Sequence, residues 1–230
     1  MAMTLDEVVR TCHFAAGSVA LATFAIPLVA RKGGPLHRRV GWVYASAMWL
    51  AAVSAWVTCG FRLRDDDPGN DLGALFLLFV GVLAANAAFV GIRVLRSKGR
   101  TGRHGKAIDL AGPLLLLLGS VGMAGLGVQR SALLLVAFAG LGGLLSVGQL
   151  RFWLRPPVTR MDWWYEHMVN MLTACIATVT AFLVVNISRL GLQEYSLYVW
   201  LAPGVLGGVG ISLWERYYRR KFAARGMTEH

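Results

Sequence analysis

The side chains best suited to chemistry are His13, His37, His104 and His167. Imidazole is the commonest protein ligand for haem iron, copper and zinc, and it titrates near neutral pH. His167 is followed at three and four residues by Asn170 and Met171. That spacing shares one helical face, which would present an imidazole and a thioether to a haem iron or a transition metal. His37, with Arg38 beside it and Tyr44 seven residues on, could add a second imidazole if its loop folds beneath a bundle. His13 and His37 stand 24 residues apart, so a spanning helix between them would keep them from sharing a metal. For each histidine the alternative is an interfacial side chain hydrogen-bonded to a carbonyl or a headgroup. A b-type haem usually takes two histidines at one depth on facing helices, and no such pair lies well inside an apolar run.

Cys12 and Cys59 form a second candidate pair. Counted outward from Pro35, they fall at nearly equal distances along adjacent antiparallel helices, which would bring them to one outer depth and permit a disulfide. A Cys/His metal site with His13 is the remoter option. Cys175 reads as a small packing residue. The run Asp65-Asp66-Asp67-Pro68-Gly69-Asn70-Asp71 is rich in oxygen ligands but lacks the alternate spacing of a calcium loop, and reads as a solvated turn. There is no G-x-S-x-G elbow and no G-x-x-x-x-G-K-[ST] loop, so hydrolysis by an activated serine and nucleotide binding find no support.

The elements that must position these residues are apolar. Of the 230 residues 56% are hydrophobic and 15% charged, and the mean hydropathy is +0.56. A helix needs roughly 20 apolar residues to cross a bilayer, and seven such stretches can be read, at 11–30, 40–60, 72–92, 110–128, 132–154, 167–188 and 197–214. They predict an all-α bundle of about seven transmembrane helices in a single domain, followed by a basic tail over 215–230. Runs such as Leu114 to Leu118 do not alternate as barrel strands would. On these boundaries no Asp or Glu lies inside a span, which weighs against a proton-coupled carrier or an ion channel.

Charge sets the expected orientation, because Lys and Arg collect on the side that is not translocated. Arg31, Lys32, Arg38 and Arg39, then the cluster from Arg93 to Lys106, then Arg151, Arg155 and Arg160, and finally Arg216 to Arg225 all fall on one side. Only Arg10, Arg62, Arg64, Arg130 and Arg189 fall on the other. Seven spans with the N-terminus outside and the C-terminus in the cytoplasm follow. Trp and Tyr concentrate at the ends of these spans, as interfacial anchors do, with Trp49 the exception. The net charge of +11 sits between apolar runs rather than on a solvated fold, so nucleic acid is not an expected partner. The expected partners are the bilayer, anionic headgroups at the basic loops, and another copy of the chain or a second membrane protein. The first apolar run has an acidic start and is followed by Arg31-Lys32, the opposite polarity to a cleavable signal.

Small residues predict close helix packing: Gly119, Gly122 and Gly125; Gly140, Gly143 and Ser146; Gly204, Gly207 and Gly208. Pro27 and Pro203 should kink or open their helices, while Pro113 is placed in a first turn, where its missing donor matters little.

Three strings, taken together, resemble an uncharacterised family of bacterial multi-pass membrane proteins, a domain of unknown function. They are His13-Phe14-Ala15-Ala16-Gly17; Pro35-Leu36-His37-Arg38-Arg39-Val40-Gly41-Trp42-Val43-Tyr44; and His167-Met168-Val169-Asn170-Met171, followed by Thr178 to Asn186. Some members resemble an arrangement with Trp and Arg just after the last histidine, and this chain has neither. The resemblance implies a bacterial inner-membrane location and marks His13, His37, Arg38, Tyr44 and His167 as positions of interest. It supplies no reaction. The functional expectation is a histidine-ligated redox component holding haem b, a transition metal or a quinone headgroup. A non-enzymatic assembly factor or a carrier for a small neutral solute is the alternative.

Overall fold

A computed structural model of the protein describes residues 3–64 and 68–224. The acidic turn at Asp65 to Asp67, considered above for calcium, and the end of the basic tail lie outside the described residues. Every regular element among the described residues is helical.

Helix α1 (Leu5–Thr23) starts in a capping box, in which the Glu7 amide donates to Thr4 Oγ1 and the Thr4 amide donates to Glu7 Oε2. It breaks at Phe24 and resumes as the short α2 (Ala25–Val29). Pro27 accounts for the break: it has no N–H to give to Thr23, four residues back, and its ring crowds that carbonyl. The turn before α3 (Pro35–Arg62) carries Gly33 at φ +74°, a left-handed conformation that suits glycine, and Pro35 then occupies the first helical position. Next come α4 (Pro68–Arg93), prolonged by a 3₁₀ turn over Val94–Ser97, α5 (Ala107–Gln129), α6 (Leu133–Leu154) and α7 (Asp162–Val185). A 3₁₀ turn at Gln193–Tyr195 leads into α8 (Ser196–Ala223).

Among the described residues seven helical segments are long and apolar enough to cross a membrane: Leu5–Val29, Pro35–Arg62, Asp71–Ser97, Ala107–Gln129, Leu133–Leu154, Asp162–Val185 and Gln193–Ala223. Helices satisfy their own backbone donors and acceptors, the condition for such segments to lie in hydrocarbon. Large apolar side chains remain on the outside, among them Leu118, Leu144 and Leu206.

Two compact units divide the chain inside α4, Met1–Ala85 and Asn86–His230. In the first, α1 packs on α3. Small residues are buried on both helices, Ala16 and Ala20 on α1 and Ala45 and Ala52 on α3, and let the axes approach closely. Trp49 and Trp56 meet edge to face at 6.4 Å. Gly81 on α4 receives the Trp56 indole, whose Nε1 would lie 2.7 Å from a Cβ there.

In the second unit α5 and α6 form a hairpin and α7 packs on α8. Gly127 lies so close to the start of α6 that a Cβ would stand 2.8 Å from Val136 Cγ2 and 3.0 Å from Val136 N. Ser131, in the turn, takes φ 50°. Val90, Val94 and the fully buried Trp153 form a core cluster.

Several boundaries differ from the sequence reading: α1 begins at Leu5 and α3 at Pro35, so His37 lies in a helix rather than in a loop, and three further differences bear on the polar residues. Because α5 begins at Ala107, Pro113 stands inside the helix rather than in its first turn, and the Asp109 carbonyl has no i+4 amide to receive. Because α7 begins at Asp162, Glu166 lies one turn inside the helix. Helix α8 runs without interruption through Pro203 and on to Ala223, so the start of the basic tail is helical. Of the small residues, Gly143 and Gly207 meet neighbours and Ser146 is fully buried, whereas Gly122, Gly125, Gly140, Gly204 and Gly208 face open space.

Candidate functional site: buried polar chains and anchored histidines

A chain of side-chain amides crosses the second unit. Asn86, on α4, donates from Nδ2 to Gln149 Oε1 at 2.7 Å. Gln149, on α6, donates from Nε2 to Asn170 Oδ1 at 2.6 Å. Asn170, on α7, donates from Nδ2 to both the backbone oxygen and Oε1 of Glu166, each at 2.9 Å. Gln149 and Asn170 are fully buried and Asn86 nearly so. Polar groups removed from water are stable only when bonded, so three helices are pinned in register by one relay of donors. All the donors point toward Glu166. At the other end Asn86 Oδ1 is buried with no partner, and it lies where a Cβ on Gly112 would collide with it.

A second polar cluster closes the ends of α4, α5 and α6. The Asp109 side chain is wholly buried. It accepts Arg93 Nε at 2.5 Å and Nη2 at 3.4 Å through its two oxygens, and His104 Nε2 lies 2.9 Å from Oδ2. The His104 amide donates to the Trp153 carbonyl at 2.9 Å, and its ring lies 5.6 Å from the Trp153 ring. Nearby, Arg100 Nη1 donates to the carbonyls of Gly102, Trp153 and Arg155, and its guanidinium covers the Phe152 ring at 4.4 Å. Burial lowers the Arg100 pKa from its ordinary value, against the opposing pull of Asp162 and Glu166. Arg100 is thereby a structural clasp for the connection between α4 and α5.

The three histidines singled out in the sequence share one feature. His13 Nδ1 lies 2.9 Å from the Ala51 carbonyl and 3.2 Å from Ser54 Oγ. His37 Nδ1 lies 3.0 Å from the Pro27 carbonyl, and His167 Nδ1 lies 2.6 Å from the Gly91 carbonyl. A carbonyl only accepts, so Nδ1 carries the proton in each ring, and in the neutral imidazole the lone pair belongs to Nε2. His13 and His37 belong to the first unit and His167 to the second. Among the described residues no group of three or more His, Cys, Asp or Glu side chains is placed to hold a metal ion.

The other expected site residues fall in different settings. Tyr44 is buried and Arg38 exposed. Met171 does not stand open beside His167: its Sδ packs on Gly91, 2.7 Å from where a Cβ would be. Asn170 is committed to the amide chain. Cys12 is exposed and Cys59 buried, and the two are separate thiols, not a disulfide, so equal depth along α1 and α3 does not give them a common face.

Sequence reasoning missed Asn86, Gln149, Glu166, Arg93, Asp109 and His104 as partners. Their signal was present: Asn86 and Gln149 are single polar residues within apolar runs, and Glu166 and Asn170 stand at i, i+4. The absence of carboxylates from the spans was an artefact of starting the fourth and sixth of them too late, since Asp109 and Glu166 lie within helices α5 and α7. No protein-family model, curated protein or solved structure matches the chain.

Proposed function

We propose that the chain is a multi-pass protein of a bacterial cytoplasmic membrane, with the N-terminus outside and the C-terminus inside, and that it works as a histidine-ligated redox component. The seven apolar helices and the one-sided distribution of Lys and Arg support the topology. The observation that carries the redox reading is the anchoring of His13, His37 and His167 through Nδ1 to backbone carbonyls. This outer hydrogen bond orients an imidazole and raises the basicity of Nε2, as it does in histidines that ligate haem iron or a transition metal. A quinone headgroup would use the same nitrogen as a hydrogen-bond acceptor.

The test is an absorbance spectrum of protein purified in mild detergent from cells supplied with haem and metals, oxidised and reduced, with metal content measured on the same sample. A stoichiometric haem or metal signal that is lost in His167→Ala or His37→Ala supports the reading. Colourless, metal-free protein that also fails to retain a quinone overturns it.

A second reading is a non-enzymatic assembly factor or a carrier for a small neutral solute. The glycines of α5 and α8 that face open space favour it, since bare backbone suits contact with another membrane helix. Co-purification of a stoichiometric membrane partner, lost when Gly204 and Gly208 are both changed to Leu, distinguishes it.

A further inference from the structure

Where apolar segments of the second unit end, an open depression is lined by cations from two connections: Lys98 and Arg100 between α4 and α5, and Arg160 between α6 and α7. Ser97, in the same lining, is the last residue of one apolar segment and Asp162 the first of another, so the depression is level with the segment ends. Its charges are held without being neutralised. Lys98 Nζ stands 4.6 Å from the centre of the Trp163 ring and Arg100 covers the Phe152 ring; an aromatic face steadies a cation but brings no counter-charge. Arg100 spends Nη1 on three carbonyls, which leaves the N–H groups of Nε and Nη2. Among the described residues Lys98 Nζ, the Arg160 guanidinium and Ser97 Oγ have no hydrogen-bond or ion-pair partner. The lining holds one carboxylate, Asp162, and its oxygens are committed to the turn before α7: Oδ2 accepts the Val158 amide at 2.6 Å, and Oδ1 accepts the Thr159 amide at 3.2 Å and Thr159 Oγ1 at 2.7 Å. Three cations against one carboxylate leave a positive excess with unspent donors.

The complement of this set is a group that carries negative charge, only accepts and offers several oxygens, which describes a phosphate ester. We propose that the depression binds the phosphate of an anionic phospholipid, with Lys98, Arg160 and the free N–H groups of Arg100 as its charged donors and the Ser97 hydroxyl as a neutral one. A lipid source follows from depth: the ends of apolar segments meet the headgroup layer, and Trp163, in the lining, is of a type that settles there. A zwitterionic headgroup would bring its own cation against the same three. Basic loops attract anionic lipid in general according to their charge; this site adds a dependence on position. It rests on the membrane reading above and is independent of histidine ligation.

Native mass spectrometry of the full chain in non-ionic detergent, titrated with dioleoylphosphatidylglycerol, tests it. The wild type should retain one phosphatidylglycerol at loadings where dioleoylphosphatidylcholine is not retained. Lys98→Gln combined with Arg160→Gln should weaken that binding about tenfold, at roughly threefold for each exposed charge contact. Arg31→Gln combined with Arg39→Gln, which removes the same charge from exposed positions of the first unit, should leave it nearly unchanged. Equal weakening in the two double variants, or none in the first, overturns the site. Displacement of the lipid by glycerol 3-phosphate, where chloride of equal ionic strength displaces none, overturns the lipid source. Should the first double variant lose its helical circular dichroism, Lys98→Gln and Arg160→Gln are read singly: weakening in either beyond that in Arg39→Gln supports the site, and weakening in neither refutes it. Alkali washing of cell membranes reports the membrane reading separately. A chain that stays in the membrane but shows no lipid preference overturns the site alone, and one that is released overturns both.

Discussion

The two units differ in how far their buried polar groups are joined to one another. In the first, polar side chains are satisfied one at a time by the nearest backbone: His13 by Ala51, His37 by Pro27, and Ser54 by the carbonyls of Leu50 and Ala51. The second unit has such single bonds too, as at Ser120, Ser146 and His167, and adds joined sets, the relay from Asn86 to Glu166 and the cluster of Arg93, His104 and Asp109. Isolated contacts fail singly, whereas a joined set fails as a whole, because removing one member strands its neighbours away from water.

That contrast can be broken or sharpened by substitution, read as thermal stability in detergent. The largest effect is expected from Asp109→Ala, which leaves the Arg93 and His104 side chains facing an empty acid position. Breaking such a buried ion pair costs about 3–5 kcal/mol. Gln149→Leu should follow, since it strands Asn86 Nδ2 and Asn170 Oδ1 together and each stranded group costs about 1–3 kcal/mol. Gly112→Ala drives a Cβ into Asn86 Oδ1 and should cost about 1–3 kcal/mol. Combining it with Asn86→Ala should recover part of that loss, and simple additivity of the two changes would refute the contact. The smallest effect is expected in the first unit, where Ser54→Ala removes local bonds worth about 1 kcal/mol and strands only the second contact of His13 Nδ1. An equal loss for Ser54→Ala and Gln149→Leu would erase the distinction between the units.

How much of this was legible in the sequence depends on the kind of signal. The seven apolar helices were, because hydrophobic length is a local property, and so was the break near Pro27, because a missing amide acts within one turn. The helix starts at Ala107 and Asp162 were not. Asp109 and Glu166 lie among charged and aromatic residues that read as loop and interface, and their partners, Arg93 and His104 for one and Asn170 for the other, are not marked by the apolar pattern. The histidines stood out by residue type, but their carbonyl partners lie 10, 38 and 76 residues away, beyond the reach of helical periodicity. Cys12 and Cys59 show the converse. Equal depth can be counted along two helices, but the rotation of each about its axis cannot.

On the proposed membrane placement, the length of helix α8 bears on which bilayer suits the protein. Its 28 residues make a rod of about 42 Å at the usual rise, whereas the hydrocarbon layer is about 30 Å thick. Few residues of its apolar stretch are buried, whereas its far end packs on α7, with Tyr218 and Phe222 against Trp164. The surplus of roughly two turns carries Trp214, Tyr217 and Tyr218 beside Arg216, Arg219, Arg220 and Lys221, anchors that prefer headgroups to acyl chains. A thicker membrane can draw in more of this end and a thinner one can release it, with tilt absorbing the remainder. Hydrophobic mismatch at this end would then be passed to the start of α7, on whose Trp164 and Tyr165 it packs.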